Sequence, residues 1–482
     1  MSDAPSGPPG PSPRTPCPQC GEPILLGARK CRACRSWLGA PAPVQERTRS
    51  GRAFALMSAA VIVVASVLLA RRESPVGAAP PLTPTAVPSS VAEAAIPSEP
   101  SPAAFGPEPK RTVPLAAPSS GEPAPAAADG QAWRTRTIRV DVHPLDVVFA
   151  ADGRSLYASG DDASVRAYEV ATGRLLHMTA VPAQGDRLRL LHGRYLAVIR
   201  REDAAHVPIV DVQNFERDPL LLQVGGEPAD ALALDDGKTV VTASSKGQLL
   251  ASFELPSGRR LGDMRVPSAL RDLYLLRTGD RTYVGALGVV SQDGASAGAR
   301  LELFDPTERP FAATRRSIAV GRDPRSGAVA EDGSALFLAD HAASGAWHVR
   351  LDAQERPSPI AVGSGPIAAF FLGTRYGITL DAQAQTATVI ELGESRRTTT
   401  LMLPGVPSHG ATSRDGALLY VALGGSQMPP TGSGLAILGD APPRVVGQVD
   451  TGSGAHRVAV SPEGTRAAVA NYASRTITIV ER

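Results

Sequence analysis

From residue 131 to the end of the chain, the sequence predicts an all-β domain of radially repeated four-stranded units. Three observations predict it. A pattern recurs roughly every 40–50 residues, the period of a ring of small sheets. A hairpin-turn signature recurs at the same offset in unit after unit. The two ends of the region each hold part of one unit, which only a closed ring completes.

The first unit is the run DVVFAADGRSLYASGDDASVRAYEVATGRLL from Asp146. It reads as strand, Asp152-Gly153 turn, strand, tight turn, strand, Thr172-Gly173 turn, strand. Asp-Gly suits such turns because the second residue needs positive φ. Echoes follow as ALALDDGKTVVTASSKGQLLASFELPSGRRL from Ala231, AVAEDGSALFLADHAASGAWHVRL from Ala328, ATSRDGALLYVALGG from Ala411 and VAVSPEGTRAAVANYASRTITIVER from Val458. The units around Leu188, Leu273 and Ala368 are more degenerate. Starts near Asp146, Arg187, Asp230, Asp272, Arg325, Ile367, Ser408 and His456 make eight units, and the weak second unit leaves seven as the alternative.

The last unit offers only three strands, over 456–460, 466–471 and 476–481, while a lone strand at 135–141 precedes the first complete unit. Set outermost in the last unit, that strand completes four and removes the open edges. The repeats resemble the YVTN-type and WD-repeat β-propellers, with VAVSPEGTRAAVAN from Val458 to Asn471 the best match to the YVTN pattern. The WD dipeptide is missing, which favours the YVTN type. The resemblance covers about 350 residues and implies an eight-bladed, alternatively seven-bladed, β-propeller over 131–482.

In such a fold, strands run from a (innermost) to d (outermost) with alternating direction, so d–a and b–c loops share one face. Long or charged b–c loops are expected at 200–206, 288–298 and 424–434. The starts of the inner strands bring His143, Asp146, Arg187, Asp230, Arg271, Asp272, Arg325, His409, His456 and Arg457 to the same face, around the channel mouth. His143, His409 and His456 fall in three consecutive blades. The expectation is a mouth that is polar because side chains must be solvated there. The alternative is a metal or anion site at the mouth. His177, His192 and His348 lie at scattered positions and read as surface.

Upstream, residues 1–14 are rich in Ser, Pro and Gly and read as disordered. Over 15–39, Cys17-Pro18-Gln19-Cys20 and Cys31-Arg32-Ala33-Cys34 supply four thiolates, the number a closed tetrahedral zinc site needs. The stretch resembles the short bacterial zinc ribbon C-P-x-C-x-E-x-I-x-x-x-A-x-x-C-x-x-C-x-x-x-L, matched by Cys17, Pro18, Cys20, Glu22, Ile24, Ala28, Cys31, Cys34 and Leu38. A redox or disulfide pairing is the alternative. The expected cofactor is one structural zinc. A segment this short folds only with such a staple.

Residues 40–52 form a basic linker. Residues 53–70, AFALMSAAVIVVASVLLA, carry no charge and as a helix span roughly 27 Å, close to a bilayer core. They predict one transmembrane helix and a lipid-bilayer partner, with a cleaved signal peptide as the competitor. Arg14, Arg29, Lys30, Arg32, Arg35, Arg47, Arg49 and Arg52 precede the span and only Arg71 and Arg72 follow closely, so the N-terminus is expected in the cytoplasm. Reduced thiolates agree with that side. Residues 71–130 hold fourteen prolines in sixty positions and read as a disordered Pro/Ala-rich stalk. The expected location is the inner (cytoplasmic) membrane, with the propeller periplasmic or extracellular.

A net charge of +2 and 4% aromatics argue against nucleic acid. No HExxH, paired-carboxylate spacing or phosphate-cradling Gly loop appears. The expectation is therefore a non-catalytic binding or scaffold protein that recognises a protein, peptide or glycan. The alternative is a lactonase- or lyase-like propeller enzyme with a metal or acid/base site at the channel mouth.

Overall fold

The computed structural model describes residues 14–16, 23–25, 133–200, 204–292, 295–308, 315–353, 356–393 and 396–482. In the N-terminal part, Arg14–Pro16 pairs antiparallel with Pro23–Leu25. Cys17, Cys20, Cys31 and Cys34, the apolar span 53–70 and the stalk 71–130 lie outside the described residues. Among the described residues, no helix is long and apolar enough to cross a membrane.

Residues 134–481 build eight four-stranded antiparallel sheets. Their inner strands are Pro144–Phe149, Arg187–Leu191, Pro228–Ala233, Ala269–Thr278, Pro324–Val329, Pro366–Leu372, His409–Thr412 and Ala455–Val460, for blades 1 to 8. Each inner strand neighbours the next, and Ala455–Val460 returns to Pro144–Phe149, so the ring closes with eight blades and not seven. The weak second unit is a full blade, with outer strand Leu220–Gln223.

A glycine in the left-handed region makes every a–b turn: Gly153, Gly193, Gly237, Gly279, Gly333, Gly373, Gly416 and Gly464, with φ between 55 and 79°. Side chains rarely adopt that φ, so the glycine fixes the hairpin even where its Asp is missing. Pro144, Pro228, Pro324 and Pro366 open four inner strands, the place where a missing N–H costs a ladder least. Just after the start, six inner strands slip register by a bulge, for example between Pro144 and Asp146, Pro228 and Asp230, and Ala455 and Arg457. A bulge re-aims the next side chain, and here it falls where the charged residues gather.

Second strands are buried on both faces, as in Thr239–Ser244 and Leu419–Ala422, while outer strands such as Arg316–Ala319 alternate. Eight apolar clusters result, one for each pair of adjacent blades. Fully burying a Leu, Ile or Val contributes roughly 1.5–3 kcal/mol. Stability is thus spread around the ring.

The lone strand is Arg134–Arg139, one residue earlier than expected, and it is the outer strand of blade 8. Arg134 pairs with Glu481 and Arg139 with Thr476. Residue 133 and the C-terminal residue therefore share the a–b-turn face, where the Arg482 N–H meets Thr465 O at 3.2 Å. Trp133 packs edge-on against Tyr420 of blade 7, with ring centroids 6.1 Å apart. The d–a and b–c turns lie on the opposite face.

One loop expectation is corrected. Residues 288–298 are not a long loop, because strands Arg281–Gln292 and Ala295–Phe304 stay paired up to Gln292↔Ala295. The b–c connection of blade 7, residues 423–434, is long as expected.

Candidate ligand site at the channel mouth

A cavity of about 880 Å³ opens among the inner strands of blades 1, 2, 5, 6, 7 and 8. His341, Gln383 and Ser426, all in b–c turns, place its mouth on the b–c face. Arg187, Arg189, Arg325, Arg457, Asp146, His409 and Ser408 line its walls. Four arginines and one acidic residue thus line it.

Three of the arginines have acidic partners behind the wall. Arg187 reaches Asp272 at 2.5 Å and Asp230 at 3.3 Å. Arg189 holds Asp230 with two bonds, at 2.9 and 3.2 Å. Burial opposes the Arg187 charge, but Asp272 and Asp230 more than offset it and its pKa rises. Burial likewise pushes the Asp230 carboxyl up, and Arg189 and Arg187 hold it well below the usual range. Arg325 meets Asp323 at 3.0 Å, and Asp323 also takes Arg271.

Arg457 differs. Its guanidinium makes no hydrogen bond or ion pair among the described residues, and its Nε is buried without a partner. Burial lowers its pKa. The nearby Asp146 opposes that shift, and the positive charges of Arg187 and Arg189 add to it.

Inner strands are stapled blade to blade by the side chains at the bulges. Asp146 Oδ2 accepts the Leu188 N–H of blade 2 at 2.8 Å, and Asp230 Oδ2 accepts the Leu273 N–H of blade 4 at 3.1 Å. His409 Nδ1 takes the same role, accepting the Val458 N–H of blade 8 at 3.3 Å. Burial, with Arg457 and His456 nearby, pushes the His409 pKa well below its ordinary value. The neutral ring with Nδ1 accepting must carry its proton on Nε2.

No protein-family model matches the chain, and no curated protein does. Among solved structures, a Kuenenia stuttgartiensis hydrazine synthase chain is similar at 18% identity, with 72% of this chain and 97% of that chain covered and a TM-score of 0.47. Nothing about the activity of this chain follows from that likeness.

The expected mouth residues therefore separate into groups. Asp146, Arg325, His409 and Arg457 come together on the cavity, joined by Arg187. Asp230 and Asp272 are buried behind the arginines. Arg271 is turned to Asp323 and the Pro324 carbonyl. His143 is outside the cavity: its ring stacks on Tyr472 at 4.7 Å, its Nδ1 meets Tyr472 O at 2.7 Å, and Arg475 donates to its Nε2 at 3.1 Å. His456 is the bulged residue beside Arg457, and burial followed by the Arg457 charge pushes its pKa down to about 4. The three histidines of consecutive blades thus do not converge, and among the described residues no group of three or more His, Cys, Asp or Glu side chains is placed to hold a metal. His348, expected at the surface, is half-buried. It packs in the blade 5–6 interface near Phe337 and Phe371.

Arg189 and His341 escape a reading based on strand starts. Arg189 follows Arg187 by two residues, the spacing that returns a strand to the same face. His341 sits in a turn, its Nδ1 buried without a hydrogen-bond partner. What the lining offers a ligand is mainly positive charge and N–H and O–H donors, the chemistry that recognises oxyanions.

Proposed function

We propose that this chain is a membrane-anchored, non-catalytic binding protein. It is held by residues 53–70, and its propeller stands outside the cytoplasm to capture a protein, peptide or glycan at the channel mouth. The observation that carries this reading is the polarity of the ring. Residue 133 and Arg482 share one face, and the charged cavity opens on the other. A stalk joined at residue 133 leaves that mouth free for a partner. Binding is favoured over acid/base catalysis because the acceptor nitrogen of His409 is occupied by the Val458 N–H, and the Ser408 hydroxyl by the Ala422 and Ala455 carbonyls. Neither has the free lone pair or activated hydroxyl that proton transfer needs.

Photo-cross-linking in cells tests the face. A cross-linker placed at Ser426, on the mouth, should trap a discrete partner, whereas one at Arg154, in an a–b turn, should not. Equal trapping at both positions, or at Arg154 alone, rules out the assignment.

A further inference from the structure

We propose that the cavity is an oxyanion site, in which Arg457 receives the carboxylate or phosphoryl group of a small molecule or of a larger partner's side chain. This deepens the recognition reading above and rests on it for the location of the face. Charge balance is the first ground. Arg187 and Arg189 are paired with Asp272 and Asp230, and Arg325 shares Asp323 with Arg271, but Arg457 has no ion pair among the described residues. Its nearest acidic influence, Asp146, already accepts N–H bonds from Val147 and Leu188, at 2.9 and 2.8 Å, and Asp186 acts on it more weakly. A half-buried guanidinium whose Nε is sealed from water without a partner is costly, and a bound anion lowers that cost.

Convergence of donors is the second ground. Arg457 brings a guanidinium that makes no hydrogen bond among the described residues, and His409, with Nδ1 engaged, carries its proton on Nε2. Both line the same cavity, as do Arg187 and Arg189. Preorganised donors around a guanidinium match a carboxylate or phosphate far better than a cation or a neutral sugar. The volume, about 880 Å³, lies in the range of small-molecule sites.

The test is calorimetric titration of the full chain in detergent, at constant ionic strength in chloride. The probes are inorganic phosphate, succinate and uncharged succinamide. The expected result is binding of phosphate or succinate at least tenfold tighter than of succinamide; which anion binds tighter identifies the source as phosphoryl or carboxylate. Arg457→Gln should weaken that binding at least tenfold, Arg457→Lys should retain most of it, and Arg154→Gln on the opposite face should change nothing. The proposal is overturned if neither anion binds better than succinamide, or if Arg457→Gln binds as the natural chain does. The succinate–succinamide comparison decides the matter even where a variant does not fold. Loss of anion binding with the cross-link at Ser426 intact would sink this inference and leave the recognition face standing. The reverse outcome would sink the face and leave the anion site.

Discussion

Asp230 shows how much one carboxylate does at the inner ring. It accepts from Arg189, from the Ala231 N–H at 3.0 Å and from the Leu273 N–H of the next blade, with Arg187 at 3.3 Å. Asp230→Ala would leave two guanidinium groups and two backbone donors each short of a partner. Removing one member of a buried pair costs about 3–5 kcal/mol. Because Arg187 keeps Asp272 and Arg189 faces the channel, a loss near 3 kcal/mol is expected in urea unfolding. Asp230→Asn retains an acceptor for Leu273 and should lose less. His456 gives the residue scale a pH signature. Its pKa is pushed down to about 4 by burial and then by Arg457, against about 6.5 in an unfolded chain. Between those values the unfolded chain binds a proton that the folded one refuses, so stability is full above about 6.5 and falls as the pH drops toward 4. Two and a half pKa units would be worth about 3 kcal/mol, and partial exposure of the ring reduces this to about 2. His456→Gln should therefore flatten the pH 7-to-4 stability profile by about 2 kcal/mol relative to the natural chain. Parallel profiles would remove His456 as the cause.

At the scale of elements, the outer strand Arg134–Arg139 joins the beginning of the propeller to its end. Its Ile138 is buried in the cluster between blades 8 and 1, and Arg134, Arg136 and Arg139 leave a charged outer edge that discourages further pairing. Deleting 134–139 from the full chain exposes the edge of Thr476–Glu481 and removes Ile138 from that core. The expected outcome is a melting temperature lower by at least several degrees and concentration-dependent association in sedimentation. An unchanged melting temperature would mean that closure contributes little. This closure was legible in the sequence because it follows from counting strands. The blade number was legible because the a–b turn demands a glycine whatever surrounds it, so Gly193, Gly279 and Gly373 mark even the degenerate units. The cavity was legible only in part. Strand starts gave Asp146, Arg325, His409 and Arg457, yet a bulge decides which of two successive side chains turns inward. That separates Asp272 from Arg271, and Arg457 from His456, in ways no periodicity announces. The paired strands at 288–298 were misread because their Gly, Ser and Ala content mimics a loop, while long-range pairing overrides weak local preference.

For the whole molecule, the ring supplies direction, and the membrane span proposed for 53–70 would supply a tether. Strand direction puts residue 133 on the face opposite the cavity mouth, since Arg134 pairs with Glu481 at the end of a descending strand. On that proposal, residues 71–130, with fourteen prolines in sixty positions, would be the spacer between the span and the ring. The basic tail before residue 53 and the cysteine quartet both favour a reducing, cytoplasmic N-terminus. One purified preparation and one fusion test this arrangement together. Metal analysis of the full chain under reducing conditions should give about one zinc per chain, falling toward zero in Cys31→Ser, because three thiolates bind zinc far less tightly than four. A reporter active only in the cytoplasm, fused after Arg482, should be silent, and the same reporter placed before Met1 should be active. Zinc without that asymmetry would keep the ribbon and discard the orientation. Activity at Arg482 would put the propeller in the cytoplasm, and the mouth of the ring would then have to meet an anion or a partner there.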